Sequence, residues 1–253
     1  MFPLKDSIGT RRTPVVTIAL IVANVVVFIL SIRNGGSIWS GPDNATVVHY
    51  GAIPYEFTHP GQECDLVARG IACGTNVDNQ PPTWLTALSS MFMHGGLLHI
   101  GGNMLFLWVF GNNVEDAMGR IRFIVFYLLG GLAAMALQTA VDPNAAVPCV
   151  GASGAVAAVL GGYLVLYPRA RVLTLVFLFV FFTFIQIPAM FFLVFWFAQQ
   201  LLFGYLNYAD PTGGGGGVAY FAHIGGFIFG VAAVKLFANR YNSDYDTPRY
   251  PAY

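Results

Sequence analysis

Six stretches of the chain are apolar over the length that a helix needs to cross a lipid bilayer. Crossing the hydrocarbon layer takes about 20 mainly apolar residues in a helix. The six stretches contain no Asp or Glu, and they are Pro14–Ile32, Gly95–Gly111, Ile121–Val141, Val150–Tyr167, Pro188–Leu206 and Val218–Phe237. Charged residues make up only 9% of the chain, against about 25% in soluble domains. We therefore predict an all-α integral membrane protein, with six transmembrane helices in one compact bundle.

A seventh apolar run, Val172–Ile187, is ambiguous. It is short, is rich in Val, Phe and Thr, and stops at Pro188. This composition favours extended or interfacial structure, although it is also compatible with a short helix. If the run crossed the bilayer, the last span would be inverted and the basic residues would be divided less unevenly. We therefore place it at the cytoplasmic interface.

Lys and Arg are distributed very unevenly between the two sides of such a bundle. With six spans, ten basic residues fall on one side, and only Arg33 and Arg69 fall on the other. Basic residues near span ends favour the cytoplasm. We therefore expect a multi-pass protein of the cell membrane with cytoplasmic tails at 1–13 and 238–253, which flank a six-span domain at 14–237.

The segment 33–94 is then an extended external loop between the first and second spans. Its last part, "PPTWLTALSSMFMH", looks like a short interfacial helix, and Trp39 and Trp84 suit the headgroup level. Cys64 and Cys73 lie in this loop. They form a disulfide if the loop faces an oxidising compartment, or they are two unrelated thiols.

Composition also bears on partners. The zero net charge gives no reason to expect nucleic acid as a partner, and the lipid bilayer is the expected surrounding. No short apolar stretch is followed by an A-x-A site, so we expect no cleaved signal peptide.

Polar residues at membrane depth are costly, so each is a candidate functional residue. They are His94, His99, Asn103, Gln138, Ser153, Gln199, Gln200 and His223. Each has a plain structural reading as well. Gly and Ser are common where membrane helices touch, and a histidine at a span end can simply be interfacial.

Topology favours a joint role for Ser153 and His223. Ser153 opens the fourth span and His223 opens the sixth, so both lie just below the external surface on parallel helices. Gly226 and Gly230 leave the His223 face nearly bare, so a neighbouring helix can approach closely. A serine becomes nucleophilic when a nearby base takes its proton, and histidine is the usual base. With no carboxylate at this depth, we predict a Ser153–His223 dyad.

The segment "HGGLLHIGGN" supplies candidate donors for an oxyanion. His99 and Asn103 are four residues apart and share a helical face, and the backbone N–H of Ser153 lies at a helix N-terminus. His94 and His99 are spaced five apart, which turns them away from each other, and no acid or thiolate is near in sequence. We therefore expect neither a metal nor a cofactor.

Together, "HGGLLHIGGN", "GASGA" and "AHIGGFIFG", on the second, fourth and sixth spans, resemble the rhomboid intramembrane serine proteases over roughly residues 83–237. The resemblance implies a rhomboid-like bundle that cleaves transmembrane segments of membrane proteins. The segment that is cut would be unwound, with a small residue before the cleaved bond. Ser153 would be the nucleophile and His223 its base, with His99 and Asn103 supporting the oxyanion. "GNNVEDAMGR" looks like the family's G-x-x-x-E turn, with Glu115 as its acid.

One position departs from the pattern. Some members carry an aromatic ring one helical turn after the serine, against which the histidine packs, and here Ala157 stands there. A Phe or Tyr from another helix would have to replace it. Two alternatives remain: a catalytically silent rhomboid-like protein that binds transmembrane clients, and a small transporter lined by the Gln and His residues. The loop "TGGGGG" before the sixth span is expected to be mobile and to act as a lid.

Overall fold

The structure, a computed structural model, describes residues 1–75, 77, 80–178, 181–209 and 218–239. Most of these residues are helical. The elements follow in the order β1 (Phe2–Asp6), α1 (Val15–Ser31), α2 (Asn44–Tyr50), α3 (Pro54–Thr58), β2 (Glu63–Val67), β3 (Gly70–Thr75), α4 (Thr83–Ser89), α5 (Leu97–Phe106), a π-helical turn (Leu107–Gly111), α6 (Asn112–Met118), α7 (Arg120–Val141), α8 (Ser153–Leu166), β4 (Arg171–Leu178), β5 (Phe181–Pro188), α9 (Ala189–Ala209) and α10 (Tyr220–Phe237). The glycine-rich loop expected to act as a lid lies outside the described residues, as does most of the C-terminal tail.

The membrane character of the chain is clear from its helices. Three of those described, α7, α9 and α10, are long and apolar enough to cross a bilayer, and α1 and α8 are shorter apolar helices. The predicted second span, Gly95–Gly111, corresponds to α5 and the π-helical turn, and the helix continues into α6 without a break. Many large apolar side chains on α1, α7 and α9 are exposed. Such continuous apolar surface suits contact with lipid rather than water.

Helix α8 is the centre of the bundle. Its residues from Gly154 to Tyr163 are all buried, and they are small or apolar around the whole helix. A helix that is apolar on every side is one that neighbours surround. Here α7 and α10 pack against it, together with the π-helical turn. The start of α8, which carries Ser153, is therefore fixed by the most enclosed part of the fold.

Glycines let α8 and α10 come into backbone contact. A Cβ added at Gly226 would lie 2.0 Å from the carbonyl oxygen of Gly154, and one at Gly230 would lie 2.0 Å from that of Ala158. Only hydrogen atoms fit in that space. The predicted close approach on the face of Gly226 and Gly230 is thus present, and α8 is the neighbour that makes it.

Glu115, which lies in α6, forms hydrogen bonds with the N-terminus of α1. Its carboxylate accepts hydrogen bonds from the backbone N–H groups of Val16 (3.0 Å) and Thr17 (2.7 Å) and from the Thr17 hydroxyl (2.8 Å). The first N–H groups of a helix have no partner within it, and Pro14 at the N-cap supplies no side-chain bond. The acid of the G-x-x-x-E turn therefore caps α1.

The described part of segment 33–94 contains the short helices α2, α3 and α4, a 3₁₀ helix at Ser90–Phe92 and a hairpin. β2 and β3 pair antiparallel, and Cys64 and Cys73 face each other across the hairpin and are disulfide-bonded. Of the two alternatives left open by the sequence, pairing is the one present. The Glu56 carboxylate accepts the backbone N–H of Cys64 at 2.9 Å, and burial raises the pKa of Glu56. The predicted interfacial helix corresponds to α4.

The expectation of an all-α chain is wrong, because the protein is mostly helical but also contains strands. β4 and β5 form a hairpin from the seventh apolar run, and β1 adds to it in the order β1-β4-β5. The extended alternative for Val172–Ile187 is therefore the correct one. Its Val, Phe and Thr residues favour strands, and Pro188 ends the hairpin where α9 begins.

A buried carboxyl joins the three-stranded sheet to the bundle. The Oδ2 atom of Asp6 in β1 accepts hydrogen bonds from Asn113 Nδ2 and from the Tyr163 hydroxyl, both at 2.6 Å. Burial raises the pKa of Asp6 to about 6, and these two hydrogen bonds oppose that rise.

Gly226→Ala should destabilise the protein, because the added methyl group must push α8 and α10 apart. Overpacking of this kind costs about 1–3 kcal/mol. Gly101→Ala is the matched control, because a Cβ at Gly101 meets nothing within 4 Å. Thermal unfolding in detergent micelles measures both variants. Equal unfolding midpoints for the two would contradict the backbone contact.

Asp6 should make stability depend on pH in a defined direction. Because its folded pKa of about 6 lies above its ordinary 3.8, the folded state binds the proton more tightly. Stability from this group is full below about pH 4 and is lost as pH rises through about 6, by at most about 3 kcal/mol. Unfolding of Asp6→Asn in detergent at pH 5 and pH 8 should lack this loss. Asp65→Asn, on the exposed hairpin, should retain it, and a wild-type protein that gains stability between these two pH values would contradict the assignment.

Candidate active site

Ser153 and His223 are in hydrogen-bond contact. Ser153 is the first residue of α8 and His223 lies in the first turn of α10, and Ser153 Oγ is 2.8 Å from His223 Nε2. The glycine contact one turn further along holds the two helices close enough for these side chains to meet. Both residues are half-buried, so the pair is reachable but largely shielded.

The segment that leads into Ser153 is held by contacts with segment 33–94. Cys149 exchanges two backbone hydrogen bonds with Ala52, at 2.8 and 3.0 Å, and the N–H of Gly151 donates to Ser90 O at 2.9 Å. Gly151 has a φ of +130°, which side-chain-bearing residues rarely adopt. The buried His94 ring accepts the N–H of Ala152 at 3.5 Å. The turn that presents the serine is thus fixed on several sides.

His99 and Asn103 line the same cavity as Ser153. The backbone N–H of Gly95 donates to His99 Nδ1 at 3.3 Å, so the neutral ring carries its proton on Nε2. A Cβ at Gly151 would be 2.7 Å from that Nε2 and 3.6 Å from Ser153 Oγ, so both atoms lie next to Gly151. Asn103 Nδ2 is buried and has no hydrogen-bond partner among the described residues. A buried amide left unpaired in this way is a candidate donor for a bound oxyanion.

The other side of the His223 ring is supported by α9. Gln200 Oε1 lies 2.8 Å from His223 Nδ1, and the Trp196 ring centroid is 6.0 Å from that of the imidazole. Tyr220 adds an edge-on contact at 6.4 Å. An aromatic ring from another helix does replace the one missing at Ala157, but it is mainly a tryptophan rather than the expected Phe or Tyr.

A cavity of about 1000 Å³ opens onto the Ser–His pair. It is bounded by α5 on one side, by α9 and α10 on the other, and by the segment before Ser153. Its polar lining includes His99, Asn103, Gln138, Gln200, Asn207, Ser153 and His223. The space is large enough for several residues of an extended peptide.

The remaining polar candidates have separate places. Gln138 Oε1 accepts the N–H of Ala222 at 3.2 Å, and so caps the start of α10 beside His223. Gln199 is exposed on the outer face of α9. Across the described residues, no three His, Cys, Asp or Glu side chains are grouped as a metal site requires.

Sequence reasoning missed three contributions to this site. The contacts of Gln200 and Trp196 with the imidazole were not foreseen, and neither was the part that His94 plays behind Ala152. A glutamine inside an apolar span was a usable signal, because such a residue needs a partner. Nothing in the sequence alone, however, indicates which of Gln199 and Gln200 faces inward.

The fold and the site together define a helical membrane protein with a half-buried Ser–His pair at the starts of two adjacent helices. A family model described as the rhomboid domain matches residues 81–240. The chain belongs to the rhomboid family, as its motifs suggested.

Relatives extend this result. The chain is 30% identical over 151 residues to the rhomboid protease GluP of Bacillus subtilis. The aligned region covers 60% of this chain and 24% of that protein. It is 33% identical over 97 residues to the mitochondrial Rhomboid protein 1 of Saccharomyces cerevisiae, 37% of this chain and 28% of that protein. Presenilin-associated rhomboid-like protein, mitochondrial, of Mus musculus is 30% identical over 146 residues, 57% of this chain and 36% of that protein. The chain thus spans about a quarter to a third of the length of these relatives.

Proposed function

We propose that this protein is an intramembrane serine endopeptidase that cleaves transmembrane segments of other membrane proteins. The observation that carries the proposal is the 2.8 Å contact between Ser153 Oγ and His223 Nε2, both of which line a large cavity. A nucleophile, a base within hydrogen-bond reach and nearby oxyanion donors are the parts that acyl transfer needs.

The reaction follows from the positions of these groups. Ser153 Oγ attacks the peptide carbonyl carbon while its proton moves to His223 Nε2. The oxyanion accepts hydrogen bonds from the Ser153 N–H, His99 Nε2 and Asn103 Nδ2. When the C–N bond breaks, His223 gives its proton to the leaving amine, and an acyl-enzyme remains on Ser153. Water then attacks that ester with His223 as base, which releases the acid and restores the serine.

The substrate is a membrane-embedded segment in extended form. A helix hides its carbonyl groups within its own hydrogen bonds, so the segment must unwind before the serine can reach it. The cavity beside α5 and α9 provides polar partners for the exposed backbone. A small residue before the cut is expected to fit best beside the His99 ring.

Six spans in the cell membrane, with both tails cytoplasmic, form part of the same proposal. The uneven distribution of Lys and Arg supports that orientation. The Cys64–Cys73 disulfide supports it as well, because disulfides persist in oxidising compartments. The Ser–His pair then lies near the external side of the bilayer.

Ser153→Ala and His223→Ala should each abolish cleavage of a model transmembrane substrate in proteoliposomes without unfolding the protein. A serine-directed fluorophosphonate should label the wild type and leave Ser153→Ala unlabelled. Asn103→Ala should retain activity reduced by about 10²–10³-fold, the effect of one lost oxyanion donor. Wild-type cleavage by folded Ser153→Ala would contradict the proposal. Failure of the wild type to react would instead favour a silent client-binding protein.

A further inference from the structure

We propose that Gln200 is a positioning residue for the reaction, which sets the tautomer and orientation of His223. The proposal rests on the hydrolytic function above and adds a third side chain, on a third helix, to the Ser–His pair. It is carried by the 2.8 Å contact between Gln200 Oε1 and His223 Nδ1, together with the way in which the amide itself is held.

The base can work only in one tautomer. To take the serine proton, His223 Nε2 must be unprotonated, so the proton of the neutral ring must lie on Nδ1. A group that accepts a hydrogen bond at Nδ1 stabilises that form, whereas a donor there stabilises the opposite form. The identity of the amide atom that faces Nδ1 is therefore decisive.

The amide orientation is set by α9. Gln200 Nε2 donates to the backbone carbonyl of Trp196 at 3.4 Å, and so the amide oxygen is the atom that faces His223. Gln200 is 7% exposed, so water has little access to replace either bond. The amide is oriented on one side by the helix backbone, and it orients the imidazole on the other.

Ala157 on α8 offers only a methyl group, and the support for His223 comes from α9. A Cβ built on Gly226 would lie 3.4 Å from the Ala157 Cβ, at the point where α8 and α10 are in backbone contact. Gln200 and Trp196, four residues apart on one face of α9, provide the hydrogen bond and the aromatic surface instead.

A neutral acceptor also fits the surroundings. His99 on α5 and Tyr220 on its own helix are titratable neighbours of His223. Asp142, Cys149 and Tyr208 line the same cavity, and α9 contributes no charged group. A carboxylate at this depth would carry a large desolvation cost. An amide oxygen still accepts a hydrogen bond from Nδ1–H when the ring becomes charged, although this bond is weaker than one to a carboxylate would be.

The test compares Gln200→Leu with Gln199→Leu in the full-length protein in detergent micelles. Gln199 is the neighbouring residue on the outer face of α9. The two glutamines are chemically identical, but only Gln200 points toward His223. Gln200→Leu should lower the rate of fluorophosphonate labelling at Ser153 and the kcat for a transmembrane substrate by about 10- to 100-fold, as expected for one lost hydrogen bond to a buried group. KM should change little, and Gln199→Leu should react like the wild type.

Gln200→Glu supplies a readout that a purely structural role would not move. It restores an acceptor at Nδ1 and should recover much of the labelling rate. Its carboxylate should also stabilise the charged ring, so the acid limb of the pH–rate profile should move to higher pH. Gln200→Leu that reacts at the wild-type rate, or a Gln200→Glu profile that matches the wild type, would overturn the proposal.

The tautomer itself is measurable without turnover. In protein labelled with ¹⁵N-histidine, the His223 signals, assigned by their loss in His223→Ala, should report a protonated Nδ1 in the wild type and a shift toward protonated Nε2 in Gln200→Leu. A wild-type ring protonated on Nε2 would overturn the proposal. Absence of labelling in the wild type would overturn the hydrolytic function, and the NMR result would still show whether Gln200 sets the tautomer.

Discussion

The backbone contact between α8 and α10 is the constraint on which the rest of the site depends. Gly226 and Gly230 bring α10 against the carbonyl groups of α8, closer than any side chain permits. Ser153 directly precedes Gly154, and His223 lies one turn before Gly226. Backbone packing therefore sets the separation of Ser153 and His223 more than flexible side chains do. Hydrocarbon gives helices no hydrophobic reason to associate, so such close packing must hold them together.

The polar groups around the Ser–His pair are mainly amides and imidazoles, and several have a defined neighbour. Gly95 donates to His99 and Gln200 lies against His223, whereas Asn103 Nδ2 and His94 Nδ1 are buried with no hydrogen-bond partner in the described part of the chain. This pattern follows from the surroundings, because an unpaired charge at this depth is far more costly than an amide or a neutral ring. Under the proposed function, the unpaired Asn103 amide would receive the charge that forms during the reaction.

The sequence was sufficient for the helices and for the Ser–His pair, because apolar length and the order of the spans determine which residues share a depth. It was not sufficient for the strands. The run from Val172 had a length compatible with a helix, and length alone does not show that it forms β4 and β5, which pair with each other and with β1. The partner of His223 was also beyond reach, because the facing of Gln200 depends on how α9 packs against α10. The capping of α1 by Glu115 joins segments about a hundred residues apart, and no local pattern indicates such a contact.

A structure of the protein after reaction with a fluorophosphonate, by crystallography or electron cryomicroscopy, tests this arrangement most directly, since the phosphonyl group imitates the tetrahedral intermediate. Phosphorus should be bonded to Ser153 Oγ, with its free oxygen within about 3.2 Å of His99 Nε2 and Asn103 Nδ2. His223 should remain against Gln200. An unmodified Ser153, or a phosphonyl oxygen directed away from both donors, would show that these residues do not form a hydrolytic site.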